Sequence, residues 1–225
     1  MDDPHGGIAG HRVLDFGCGS GISSAGIALL GGADLVVGVN INSEAQACET
    51  FLREVLGRDG LPLNLRFEQI RPGETTSMDG FDVVFSWSVF EHVDERIMPN
   101  VLDALVAKLR GGGYFFVQIS PLYFSPEGGH LWAIGYPAWG HLLSQNANVE
   151  ADIAAAPNLS TEEKAGLVSM FRTLNRITAD DLVERFEAAG LTLLRVQRDR
   201  TDRRPTPSLT RAYTMDALTT YQICL

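Results

Sequence analysis

The segment Val13-Leu-Asp-Phe-Gly-Cys-Gly-Ser-Gly21 constrains this chain more than any other stretch. An apolar run that breaks into three alternate glycines reads as a buried strand entering a tight turn, because glycine takes left-handed backbone without a Cβ penalty. Ile22 to Leu30 then has helical spacing and stops at Gly31-Gly32. Ala33-Asp-Leu-Val-Val-Gly-Val-Asn40 supplies a second buried strand, so the first forty residues complete a βαβ unit. Ser43 is a suitable N-cap, with Glu44 in the first turn, for a helix reaching about Leu56. Leu63 to Gln69 reads as a third strand and Phe81 to Ser86 as a fourth, with the polar loop Pro72 to Gly80 between them. Asp94 to Leu109 has helical periodicity stopped by Gly111-Gly-Gly113, and Tyr114 to Ser120 is the fifth strand. Strands alternating with helices predict an α/β fold, a doubly wound and mostly parallel sheet covered on both faces.

The alternation breaks over residues 121–177, a segment of aromatics, prolines and glycines with one helix-like stretch, Thr161 to Leu174. It reads as an insertion within a single domain spanning 1–225. The pattern resumes with Thr178 as N-cap of a helix Ala179 to Ala189 closed by Gly190. A sixth strand, Leu191 to Val196, and a seventh, Thr220 to Leu225, complete the reading.

Charge narrows the partners, since 28 acids against 18 bases leave a net charge of −10. Phosphates would meet a repulsive mean field, which disfavours nucleic acid and favours a small-molecule substrate. The one basic cluster, Arg195 to Arg204, is interrupted by Asp199 and Asp202 and reads as a solvated strand end and loop. No apolar stretch reaches the roughly 18 residues of a transmembrane segment. Met1 to Gly10 has no signal or transit character, so a cytoplasmic location is expected. Cys18, Cys48 and Cys224 lie far apart without a CxxC pair, as reduced thiols rather than a zinc site.

The glycine spacing is GxGxG, not the GxGxxG of dinucleotide folds, and an acid, Asp15, precedes the first glycine. That disfavours a nucleotide-dependent oxidoreductase. With these features the chain resembles the class I S-adenosylmethionine-dependent methyltransferases. Val13 to Gly21 is similar to that family's first motif and Gly38 to Glu44 to its second-strand motif. Phe81 to Val93 is similar to its fourth-strand motif, and Leu109-Arg-Gly-Gly-Gly-Tyr to its turn into strand five. The resemblance implies strand order 3-2-1-4-5-7-6, strand seven antiparallel, with S-adenosylmethionine as cofactor and S-adenosylhomocysteine as product. It implies cofactor contacts from Asp15, Gly17, Cys18, Gly19, Gly21, Asn40, Ile41, Gln69, Ser86 and Trp87. One departure is Asn40, where the family usually has Asp or Glu. A charge-assisted hydrogen bond contributes about 1.5–3 kcal/mol against roughly 0.5–1.5 for a neutral one, so Asn40 is expected to weaken ribose binding about tenfold.

The acceptor belongs outside the carboxyl ends of the strands, where Ser86-Trp-Ser-Val-Phe-Glu-His-Val93 leaves strand four. Glu91 and His92 match a Glu-His pair common in the resembling enzymes. An imidazole suits removal of a hydroxyl proton at neutral pH, which makes His92 a candidate base, with packing or helix capping as the plainer alternative. The insertion adds Tyr123, His130, Trp132, Tyr136, Trp139 and His141 within 19 residues. Such a loop would cover and orient a sugar ring or a flat natural product, with His130 or His141 facing the substrate and Glu91, Tyr123, Trp132, Tyr136 and Trp139 lining it. The alternative is an aromatic loop packed on itself. The segments around Gly129 and Pro137 are similar to ones in bacterial methyltransferases of glycan or cell-surface biosynthesis. Glu91, His92, His130 and Asp94 could hold a divalent metal, but nothing in their spacing requires one, and no metal is predicted.

The expected function is methyl transfer to a hydroxyl of a sugar or natural product. The competing reading is a catalytically silent binding or scaffold subunit that keeps the fold. Little chain precedes strand one, so either the insertion replaces an N-terminal lid or this is a domain of a longer protein. A homodimer is compatible with either.

Overall fold

The computed structural model describes residues 7–42 and 45–225. The seven strands are β1 (Arg12–Phe16), β2 (Leu35–Asn40), β3 (Leu65–Gln69), β4 (Phe81–Trp87), β5 (Leu109–Ile119), β6 (Gln197–Arg200) and β7 (Thr220–Cys224). They form one sheet in the order β3-β2-β1-β4-β5-β7-β6, as the resemblance implied. β1 runs parallel to β2 and β4, and β2 to β3, while β7 is antiparallel to β5 and β6. The helices are α1 (Ile22–Leu29), α2 (Ala45–Leu56), α3 (Met98–Val106), α4 (Gly140–Leu143), α5 (Asn146–Ala155), α6 (Thr161–Thr173), α7 (Ala179–Ala188), α8 (Pro207–Ala212) and α9 (Met215–Thr219). Single 3-10 turns lie at Phe90–His92 and Trp132–Ile134. The expected cap at Ser43 and Glu44 lies outside the described residues.

The chain divides into two compact units, one running to Trp87 and including Met98–Val117, the other made of Ser88–Ile97 and Gln118–Leu225. In the first, β2 is buried from Val36 to Val39, which is why its sequence is continuously apolar rather than alternating. Ala25 and Ala28 of α1, Cys48 and Leu52 of α2, and Val13, Val36, Leu65 and Val83 of the strands form its core. Asn64 fastens the end of α1 to the start of β2, its amide donating to Ala28 O at 3.2 Å and Ala33 O at 2.7 Å.

In the second unit, one cluster gathers Tyr123, Leu131, Val149, Ile153, Phe171 and Leu174, and another Trp139, Leu209 and Leu218. Ser160 and Thr178 begin α6 and α7 with capping boxes closed by Glu163 and Asp181.

Several boundaries differ from the sequence reading. α3 starts at Met98 rather than Asp94, because Asp94 accepts from the Arg96 backbone N–H and side chain, while Pro99 suits a first helical turn. β5 begins at Leu109 and passes through the three glycines. A Cβ at Gly113 would lie 2.9 Å from Asp82 O, so that glycine serves close strand packing and does not terminate pairing. The sixth strand is the polar Gln197–Arg200, and in the expected run Leu194 and Val196 are exposed. β2 and β3 each begin two residues later than expected. Among the described residues no helix is long and apolar enough to cross a membrane.

Candidate active site

In the first unit, β1 delivers Asp15 to the glycine turn. Gly17, Gly19 and Gly21 all have left-handed backbone, with φ of 77°, 50° and 74°. The amides of Gly17 and Cys18 both donate to Val39 O, at 2.8 and 3.1 Å, which fastens the turn to β2. At Gly21 a Cβ would lie 2.3 Å from the Phe67 ring, so packing and conformation both require glycine there. Asp15 is 2 % exposed and accepts from Ser24 Oγ at 2.5 Å. Burial pushes its carboxyl up to about 6, an effect the Ser24 hydrogen bond opposes. Ser24 and Phe67 were not singled out from sequence; a serine in the first turn after the glycines was the available signal.

At the ends of the neighbouring strands, Asn40 is half-buried and Ile41 is exposed. Gln69 donates from Nε2 to Ile41 O at 3.0 Å. Ser86 is buried and donates to Phe16 O at 3.0 Å, so its hydroxyl is committed to the sheet. Trp87 is half-exposed in a stacked row with Phe85 and Phe116. This donor set fits S-adenosylmethionine: a buried acid whose carboxylate a cation would stabilise, a tight glycine turn, and a carboxamide at the end of β2 for ribose hydroxyls.

In the second unit, the turn after β4 carries Glu91 and His92. Asn175 holds it, its Nδ2 donating to Phe90 O at 2.6 Å and Val93 O at 2.8 Å and its backbone N–H to Glu91 O at 2.8 Å. No sequence pattern pointed to Asn175. Glu91 is 3 % exposed, and no side chain among the described residues partners either carboxyl oxygen. Burial pushes it up to about 8, with the backbone amides of Glu91 and Ser120 lowering it in part, so at neutral pH it is a carboxylic acid.

His92 Nδ1 lies 3.0 Å from Thr173 Oγ1, and that hydroxyl donates its single proton to Met170 O at 2.7 Å. The network therefore assigns the imidazole proton to Nδ1 and leaves Nε2 with its lone pair. Burial lowers the His92 pKa, which keeps the ring neutral at pH 7. His92 opens on a cleft of about 490 Å³ shared with Thr173, Asn175, Asp94 and Arg172.

The remaining aromatics divide. His130 Nε2 donates to Pro121 O at 3.2 Å and His141 Nε2 to Tyr123 O at 2.6 Å, so each ring has only Nδ1 left for another partner. Both rings are buried, which pulls their pKa values down to about 4. His130 lies edge-on to His92 at 5.3 Å. Trp139 is buried and donates from Nε1 to Leu218 O at 3.1 Å. Tyr123 is buried against His141, Tyr136 donates to Asp152 Oδ2 at 3.0 Å, and Trp132 is exposed beside His130. Among the described residues no three His, Cys, Asp or Glu side chains gather as metal ligands.

Comparison with known proteins agrees with this geometry. The family described as a methyltransferase domain matches residues 6–196. The ubiquinone biosynthesis O-methyltransferase of Aeromonas salmonicida is 31% identical over 120 residues, covering 52% of this chain and 47% of that protein. The tRNA U34 carboxymethyltransferase of Pseudomonas fluorescens is 38% identical over 93 residues, 40% of this chain and 27% of that one. The chain thus spans half or less of the length of these curated relatives. An S-adenosylmethionine-dependent methyltransferase from Mesorhizobium loti superposes with a TM-score of 0.57 at 16% identity, covering 96% of this chain and 90% of that one, a likeness of fold.

Proposed function

The chain belongs to the class I S-adenosylmethionine-dependent methyltransferase family, and from that premise we propose that it methylates a hydroxyl oxygen of a small acceptor, a sugar or natural-product alcohol, with His92 as base. The observation that carries this reading is the contact of His92 Nδ1 with Thr173 Oγ1, whose own proton goes to Met170 O, an arrangement that assigns the ring proton to Nδ1 and leaves a neutral Nε2 to take a proton. When bound, the cofactor supplies a methyl group already activated on a sulfonium. His92 Nε2 would take the proton of the acceptor hydroxyl as its oxygen receives that methyl group, with neutral S-adenosylhomocysteine as the other product. Removing that proton contributes about 10²–10⁴-fold, and alignment of oxygen with carbon contributes more. Asp15, the glycine turn and Asn40 hold the donor in this reading, and the 121–177 segment, with Tyr123, Trp132 and Tyr136, shapes the acceptor side, while Trp139 packs beneath it. The relative that acts in ubiquinone biosynthesis is an O-methyltransferase, which supports oxygen as the methylated atom. The relatives also include a tRNA-modifying enzyme, so the acidic balance does not by itself exclude an RNA acceptor. We place the reaction in the cytoplasm.

The test is titration calorimetry with S-adenosylmethionine and S-adenosylhomocysteine on the wild type and Asp15→Ala, followed by turnover on a panel of alcohols and on bulk tRNA. Micromolar binding that Asp15→Ala removes, and a His92→Gln variant that keeps cofactor affinity but loses about 100-fold or more in kcat, is the expected result. Methylation of tRNA with none of the alcohols would overturn the small acceptor. Absence of binding at millimolar cofactor would favour the silent subunit, with Asn40 as its cause.

A further inference from the structure

A second cavity of about 120 Å³ lies in the same unit as His92, lined by Tyr123, Asn146, Glu150, Phe171, Arg172, Leu174 and Arg176. Its charges do not cancel. Arg172 is spent on Glu150 through two hydrogen bonds, of 2.8 and 2.6 Å. Arg176 has no carboxylate within 4.0 Å of its guanidinium among the described residues, although the chain carries ten more acidic than basic charges. Glu95 accepts instead from the Arg176 backbone N–H at 2.9 Å and faces Arg185 at 3.7 Å. The backbone is thereby fixed while the side-chain cation is left over. The Arg176 guanidinium lies over the Tyr123 ring, 5.4 Å from its centroid, and Tyr123 is itself buried against His141, whose Nε2 donates to Tyr123 O. The Tyr123 hydroxyl also interacts with the Arg176 side chain, which orients the planar fork, and with five donors the guanidinium keeps further N–H groups available to an anion. The cavity has room for several waters, and so for a carboxylate or phosphate group.

Arg172 and Leu174 line both this cavity and the larger cleft onto which His92 opens. We propose that the acceptor carries a carboxylate or phosphate group that binds Arg176, while its hydroxyl reaches His92. This rests on the acceptor reading given above and adds a substrate class to it: an acidic alcohol such as a uronic acid or a sugar phosphate. Arg176 acts as a specificity residue. It binds the anion, discriminates against the uncharged analogue, and has no part in proton transfer.

The test is binding, measured without cofactor, of glucuronate, glucose 6-phosphate and glucose to the full chain, with inorganic phosphate as competitor. Expected are at least about tenfold tighter binding of a charged sugar than of glucose, weakening as salt is raised, and loss of that preference in Arg176→Met with partial recovery in Arg176→Lys. Arg204→Met, outside both cavities, serves as control and leaves the preference intact. The glucuronate and glucose 6-phosphate arms separate a carboxylate from a phosphate. Equal binding of glucose, binding unchanged in Arg176→Met, or no binding of either charged sugar at 10 mM would each overturn the subsite. A chain that binds glucuronate through Arg176 but no S-adenosylmethionine would refute the methyltransferase reading and leave the anion site standing, so the two failures are distinct.

Discussion

Replacing Glu91 with Gln removes a titration and keeps nearly the same shape, so its effect on stability should depend on pH in a calculable way. The folded carboxyl ionises near 8 against an ordinary 4.5, because burial outweighs the backbone amides that face it. Below pH 4.5 both folded and unfolded states hold the proton, and the full contribution to stability is present. As pH rises the unfolded chain ionises first, and stability falls until the folded carboxyl ionises as well, near pH 8. Between pH 5 and 7 the loss is nearly two pH units at ~1.36 kcal/mol each, or about 2.5 kcal/mol. A chain of this size shifts ~2–4 °C per kcal/mol, so the wild type should lose roughly 5–10 °C over that interval from this group alone. The Glu91→Gln variant carries a buried amide in its place, whose cost is independent of pH. The quantity to measure is therefore the difference in melting temperature between wild type and Glu91→Gln at pH 5, 6 and 7, which cancels the titrations of Asp15 and the histidines. That difference should move toward the variant by roughly 5–10 °C as pH rises. Parallel melting profiles would mean that Glu91 is already ionised or solvated in the folded chain, and the argument from burial would fail.

Two further substitutions test local geometry. Gly21→Ala places a Cβ against Phe67 in left-handed backbone, and urea unfolding should show a loss of about 2–4 kcal/mol together with weakened cofactor binding; a loss under ~0.5 kcal/mol would show that Phe67 simply moves aside. Trp139→Phe deletes the N–H that Leu218 O accepts, and should cost ~1–3 kcal/mol for the orphaned carbonyl, read from the urea midpoint; an unchanged midpoint would mean that water reaches that carbonyl.

The first unit was largely legible because β1, β2 and β4 are mostly buried and announce themselves as apolar runs ending in glycine or a polar residue. β1, α1 and β2 sit within a residue or two of where the sequence places them. Legibility failed where an element is not defined by apolar content. β6 is polar and lies at the end of the sheet order, so its pairing with β7 left no hydrophobic signature. α5 buries only Val149 and Ile153 and has no side-chain cap, and α8 and α9 are too short for periodicity to register. Among site residues, Asp15, the glycines and His92 are named by local pattern. Asn175 and Thr173 act over roughly 80 positions of sequence on the turn that carries His92, and only tertiary structure brings them there. The aromatic insertion looked like one substrate-facing surface from composition alone, yet Trp139, His130 and His141 each spend a ring N–H on a buried carbonyl.

β6 also bears on how this protein behaves at high concentration. Four residues long, it carries Arg198, Asp199 and Arg200, and pairs with β7 across a register shift at Asp199/Arg200. Arg198 and Arg200 are held by Asp180 and Asp216, and Asp199 accepts from Gln222 at 2.6 Å. A strand from another molecule seeking to extend the sheet there would meet a short, kinked ladder whose side chains are charged and already engaged, a poor template for growth. Solubility of the folded chain is protected at that end by what the strand is made of.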